Sequence, residues 1–97
     1  MQQRAPSTDR RQATRREVRL EARIRLEHGV YLPCRICNIS SMGVSAEMTF
    51  DAFVPLLFRL QIPGDLFEAE CALRHRNGTT LGIEFLSNRA EALARYG

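Results

Sequence analysis

Four arginines fall within the eight residues DRRQATRR at positions 9–16. A guanidinium is a rigid fork of N–H donors, suited to gripping a phosphate or the O6/N7 edge of a guanine through two parallel bonds. Further along, NISSMG at positions 38–43 places an amide, two hydroxyls and a glycine within six residues. Its simplest reading is a polar turn in which Asn38 forms an Asx-turn, Ser40 bonds local backbone and Gly43 takes a positive φ. Cys34 and Cys37 make a CxxC, but residues three apart on a strand point to opposite faces, so their sulfurs diverge. No second CxxC or suitably spaced histidine pair completes four ligands, so no metal is expected. Cys34 and Cys71 instead fit the inward parity of a core. His28 and His75 stand at a strand end and beside an Asn-Gly turn, positions typical of solvated histidines. No nucleophile, base and orienting third group can be assembled, which leaves binding rather than catalysis.

Composition places these groups in an ordinary globular setting. A chain of 97 residues is expected to form one domain, and one of that size buries roughly 60 to 68% of its unfolded surface, enough for a single modest core. Hydrophobic content of 44% and charged content of 26% are those of a soluble protein. Apolar runs extend only a few residues, far short of a membrane helix, and no signal-type segment is seen, so a cytoplasmic location without membrane insertion is expected. Three cysteines, an odd number, point to free thiols. The net charge of +3 is uneven: the first 20 residues carry +4, leaving the rest near neutral. All fourteen basic residues are arginine. Codon bias also produces that identity, so the positions of the arginines carry more weight than their type.

The elements that would hold these groups are strands. Val18, Leu20, Ala22, Ile24 and Leu26 alternate with Arg19, Glu21, Arg23, Arg25 and Glu27, the period of a strand with one buried face. His28 and Gly29 make a turn into a second strand over 30–37, with Pro33 at an edge or bulge position. Val44, Ala46 and Met48 mark a third strand, so NISSMG connects two paired strands. After the irregular TFDAFVP, Leu56, Phe58, Leu60 and Ile62 alternate with Leu57, Arg59 and Gln61, and Pro63-Gly64-Asp65 ends that strand. Phe67, Ala69, Cys71 and Leu73 define a fifth strand. Asn77-Gly78, suited to a type I′ turn, joins it to Leu81, Ile83 and Phe85. Six short strands joined by tight turns favour an all-β, antiparallel barrel. Ser87 is expected to cap a short C-terminal helix whose Ala90, Leu93 and Ala94 share a face. Residues 1–16 lack the apolar content to order themselves and are expected to form a flexible basic arm ahead of a barrel domain over 17–97.

The two polar motifs, in this order on either side of a strand pair, resemble those of the PilZ domain, a bacterial receptor module for cyclic di-GMP. Arg11-Gln-Ala-Thr-Arg15 is similar to the RxxxR of that family's N-terminal arm, and Asn38-Ile-Ser40-Ser-Met-Gly43 to its [D/N]xSxxG. The alternating first strand and GTTLGIEF at 78–85 are similar too, so the resemblance spans about residues 9–86. Arg15 and Arg19 also read RxxxR, but Arg19 lies within the alternating strand, which favours the earlier register. Asn38 stands where Asp is the more frequent family choice.

The resemblance implies a six-stranded split barrel of PilZ type and a non-enzymatic receptor or adaptor with cyclic di-GMP as its ligand. Arg11 and Arg15 would grip phosphate and guanine, Asn38 and Ser40 would meet other polar edges, and Gly43 would let the backbone pass closely beneath. Arg10 is placed either to hold a second, stacked ligand molecule or to remain solvated. Closure of the arm over the barrel would signal to an unidentified downstream protein. Two alternatives stand beside this reading: a non-binding PilZ-type interaction module, and a small barrel that binds nucleic acid. Against nucleic acid stand the near-neutral body, the absence of Trp and the presence of only two Tyr.

Overall fold

The structure is a computed structural model that describes residues 14–97. The expected arm therefore lies, apart from its last three residues, outside the described residues. Strands β1 (Arg16–Arg25), β2 (Tyr31–Ile39), β3 (Gly43–Met48), β4 (Leu57–Ile62), β5 (Phe67–Asn77) and β6 (Thr80–Phe85) are followed by one helix, α1 (Arg89–Tyr96). All six pairings are antiparallel and close a barrel in the order β1-β2-β3-β6-β5-β4. Alternation explains the core: Ala22, Ile24, Cys34, Ile36, Ala46, Leu60, Ile62, Ala69, Leu81 and Phe85 face inward and are buried. Burial pushes the thiols of Cys34 and Cys71 up to about 12, so both are neutral apolar core groups at ordinary pH. Cys37 faces out, as divergence of the CxxC requires, and no disulfide forms among the three.

The ladder is not uniform. Between β2 and β3 the register shifts between Ile36 and Asn38, and between β5 and β6 it shifts between Leu73 and His75. Each shift inserts one extra residue, Cys37 and Arg74 respectively, and an extra residue flips the inward parity beyond it. A third shift lies between Glu17 and Leu20 on β1. Pro33 is accommodated because β2 begins to pair with β3 only at Cys34.

The β1–β4 seam comprises three pairs, Arg23↔Gln61, Ile24↔Leu60 and Arg25↔Arg59. Helix α1 covers part of the barrel that this seam leaves open. Its buried residues are Ala92 and Tyr96, one turn apart. The Tyr96 ring meets Phe67 edge-on at 5.5 Å, and Phe67 in turn meets Phe85 at 5.4 Å. The Tyr96 hydroxyl donates to Asp65 at 2.7 Å, and burial together with that carboxylate raises its pKa. Arg16 donates to the Gly97 carbonyl at 2.8 Å, tying the last residue to the start of β1.

Four local expectations are corrected. The helix faces the core with Ala92 and Tyr96 rather than with Ala90, Leu93 and Ala94, all of which are exposed. Ser87 does not cap it: its hydroxyl accepts from the Glu70 N–H at 2.8 Å, and Asn88, in a left-handed conformation, precedes the helix instead. Leu56 lies outside the core because β4 starts at Leu57 and turns inward only at Phe58. The β5–β6 hairpin pairs Asn77 with Thr80, so its loop is Gly78-Thr79; only Gly78 has a positive φ, as type II′ requires, whereas type I′ needs two.

The helix face gives a direct test. Tyr96→Ala should destabilise the domain by about 3 kcal/mol, through lost ring packing on Phe67 and a vacated volume. Leu93→Ala should change stability by less than about 0.5 kcal/mol. Urea denaturation of both variants measures the contrast.

Candidate functional site

NISSMG is not a solvated turn. Asn38 and Ile39 end β2, Gly43 starts β3, and only positions 40–42 connect them. Ser40 is 2% exposed and Ser41 and Ile39 are also buried. A buried hydroxyl needs a partner, and the Ser40 Oγ accepts from the Met42 N–H at 3.1 Å while the Ser40 N–H donates to the Gly43 carbonyl at 2.9 Å. The local backbone bond expected of Ser40 is therefore present.

Gly43 is required for a different reason from the one its turn chemistry suggests. Its φ is not positive. Instead it sits opposite Glu84 in the β3–β6 ladder, and a Cβ built there would lie 2.0 Å from the Ile83 carbonyl oxygen. No side chain fits such a gap, so close approach of two backbones selects glycine.

Asn38 does not form an Asx-turn within the connection. Its neighbour Cys37 is the extra residue of the β2 bulge, so Cys37 and Asn38 both lie off the core before Ile39 turns inward. There the Asn38 Oδ1 accepts a hydrogen bond from the guanidinium of Arg15. Two sequence-predicted site residues 23 positions apart are thus in direct contact. Arg10 and Arg11 lie outside the described residues. Arg19, the alternative partner of Arg15 in an RxxxR reading, lies inside β1 and borders a neighbouring cleft of about 450 Å³ with Arg35 and Asn38.

Arg15, Ser40 and Gly43 line one cleft of about 240 Å³ together with Arg74, His75 and Glu84. That volume is below the roughly 300 to 1,000 Å³ usual for drug-sized ligands, so the cleft has room for only part of a larger molecule. Arg74 pairs with Glu84 at 2.5 Å. The His75 ring lies over Gly82, where a Cβ would fall 2.1 Å from its Nε2. His75 is exposed, as expected of a solvated histidine, and its ring lines the cleft. Arg74, His75 and Glu84 are not among the site residues expected from the sequence. Their signal was the loss of alternation after Leu73, where the polar run Arg74-His75-Arg76 leads into the hairpin, the mark of a bulge that turns side chains outward.

Met42 borders the same cleft and also touches α1, since Arg89 Nη2 approaches its Sδ to 3.0 Å. Among the described residues no cluster of His, Cys, Asp or Glu could hold a metal ion. No described helix is long and apolar enough to cross a membrane.

Gly43→Ala provides the test of this arrangement. The added methyl must displace the Ile83 carbonyl and with it the β3–β6 ladder, at a cost of about 2 to 3 kcal/mol. Urea denaturation should show that loss, and chemical shifts should change at Asn38 and Ser40 as well as in β6.

A family model for the PilZ domain matches residues 9–96. Among curated proteins none matches the chain. With the matched region covering nearly the whole sequence and the barrel topology in agreement, the chain belongs to the PilZ domain family, whose modules are known for cyclic di-GMP binding and adaptor roles.

Proposed function

We propose that this protein is a cyclic di-GMP receptor and adaptor, binding the nucleotide between the arginine motif and the Asn38–Gly43 segment and signalling to a partner protein. The observation that carries the reading is the contact with Asn38 of Arg15, which itself lines the cleft containing Ser40 and Gly43. Family membership alone does not require that the two motifs meet.

The chemistry is complementary to such a ligand. Cyclic di-GMP offers two phosphates and two guanines. Arg15, with Arg11 from the adjoining arm, supplies bidentate donors for a phosphate oxygen pair or a guanine O6/N7 edge. Asn38, released from Arg15 or sharing it, offers an acceptor for guanine N1–H or N2–H. The His75 ring, lying flat on Gly82, presents a surface on which a base can stack. A phosphate entering the cleft would compete with Glu84 for Arg74, so binding is expected to weaken as salt is raised. Closure of the arm over the cleft would turn ligand concentration into a change of surface available to a partner.

Calorimetry with cyclic di-GMP, GTP and an oligonucleotide tests the assignment, and selective binding of the first is expected. Arg11→Ala and Arg15→Ala should each weaken it by roughly tenfold to a hundredfold, since each removes charge-assisted hydrogen bonds worth about 1.5 to 3 kcal/mol. Wild-type affinity in the double variant would overturn the reading in favour of an interaction module that binds no nucleotide.

Asn38→Asp gives a signed test. A carboxylate has two acceptors where the amide has one, and it still pairs with Arg15. Affinity should rise severalfold, by about 1 kcal/mol. A fall that is relieved by salt would instead place position 38 beside a phosphate, and no change would limit Asn38 to holding Arg15.

A further inference from the structure

Phe50, Phe53, Leu56 and Leu57 are all exposed within eight residues, Phe53 to 79% and Leu57 to 67%. Single exposed leucines are common, but four large apolar side chains gathered in one segment mark an interaction surface. Phe53, Pro55 and Leu57 form, with Leu26, the walls of a groove of about 550 Å³. It lies where β1 and β4 part beyond the end of their short seam. None of the residues lining it lines the Arg15 cleft. The ten residues of β1 separate the two, a span of about 30 Å.

The rim of the groove has an unusual charge pattern. Arg25 and Arg59 stand directly opposite each other across the β1–β4 pair, an arrangement that is destabilising for like charges. Arg59 is held by Glu68 at 3.1 Å and Glu70 at 2.6 Å. Arg25 makes no ion pair among the described residues. Glu27, also at the rim, faces the exposed His28 at 3.9 Å rather than Arg25.

We infer that this groove docks an apolar segment of a partner protein that carries a carboxylate. The apolar side chains seat against Phe53 and Leu57, and the carboxylate pairs with Arg25, since Arg59 is already held by Glu68 and Glu70. A second copy of the chain is a poor occupant, because the carboxylates this face would bring to Arg25 are already engaged: Glu68 and Glu70 hold Arg59, and Glu27 faces His28. The inference rests on the adaptor half of the proposed function and not on its nucleotide half.

The test is a titration of the isotope-labelled full chain, followed by NMR. The first probe is a synthetic peptide with leucine and phenylalanine at helical spacing and glutamates between them; the second is its lysine counterpart. The glutamate peptide should shift amide signals at residues 25–28 and 53–59, and the lysine peptide should not. Leu57→Ser, at an exposed position, should weaken the glutamate peptide by about tenfold, and Arg25→Glu should reverse the preference between the two peptides. Absent shifts, equal shifts from both peptides, or concentration-dependent broadening at these residues without peptide would each overturn the inference, the last in favour of self-association. Cyclic di-GMP affinity in Leu57→Ser should equal that of the wild type. A wild-type chain that takes the glutamate peptide but not cyclic di-GMP upholds the groove and removes the nucleotide reading; the converse result removes the groove alone.

Discussion

The barrel and its polar cleft both depend on the close approach of two backbones, β3 at Gly43 and β6 at Ile83. The Ile83 carbonyl occupies the space where any other residue would carry its Cβ. This proximity lets β3 and β6, remote in sequence, run as neighbours from Gly43↔Glu84 to Glu47↔Thr80. It also settles the connection that enters β3. Ser40 is drawn inside with its hydroxyl committed to the Met42 N–H, and Ile39 joins the core. A wider spacing would loosen the contacts of Val44, Ile83 and Phe85 and shift Asn38 away from Arg15.

Bulges then convert a closed, apolar barrel into one with a polar site. A regular strand directs every second side chain inward, so a perfect ladder would bury every second polar group or leave it spread along the outer face. The extra residue at Cys37 sets Asn38 outside within reach of Arg15, and the extra residue at Arg74 sets Arg74 and His75 outside on the facing side of the cleft. Gly82 leaves room for the imidazole. The cleft combines Arg15, Arg74 and Glu84, with one cation already bound to the carboxylate, so an anionic ligand would have to exchange one partner for another instead of entering a preformed cationic hole.

Much of this was legible in the residues. Alternation located all six strands because each has one face in the core. Arg15, Ser40 and Gly43 could be singled out because their types and spacing carry a chemical meaning that survives ignorance of the fold. The misplaced details share a cause. Leu56, the Ala90-Leu93-Ala94 face of α1 and the type of the Gly78 turn each follow from where a neighbouring element begins, and apolar residues that face a solvated groove look the same in a sequence as those that face a core.

Periodicity and local chemistry are properties of neighbouring residues, so the class of fold, the inward parity of Cys34 and Cys71, and the two polar motifs could be read without a structure. Only the packed barrel shows that Arg15 meets Asn38, that Arg74 and His75 line the cleft beside Arg15, and that Gly43 is needed for close packing instead of a positive φ. It also decided that Arg25 faces Arg59 beside an apolar groove. Each of these depends on register between strands far apart in the chain, and a single inserted residue, invisible as such in the sequence, changes which side chains face one another.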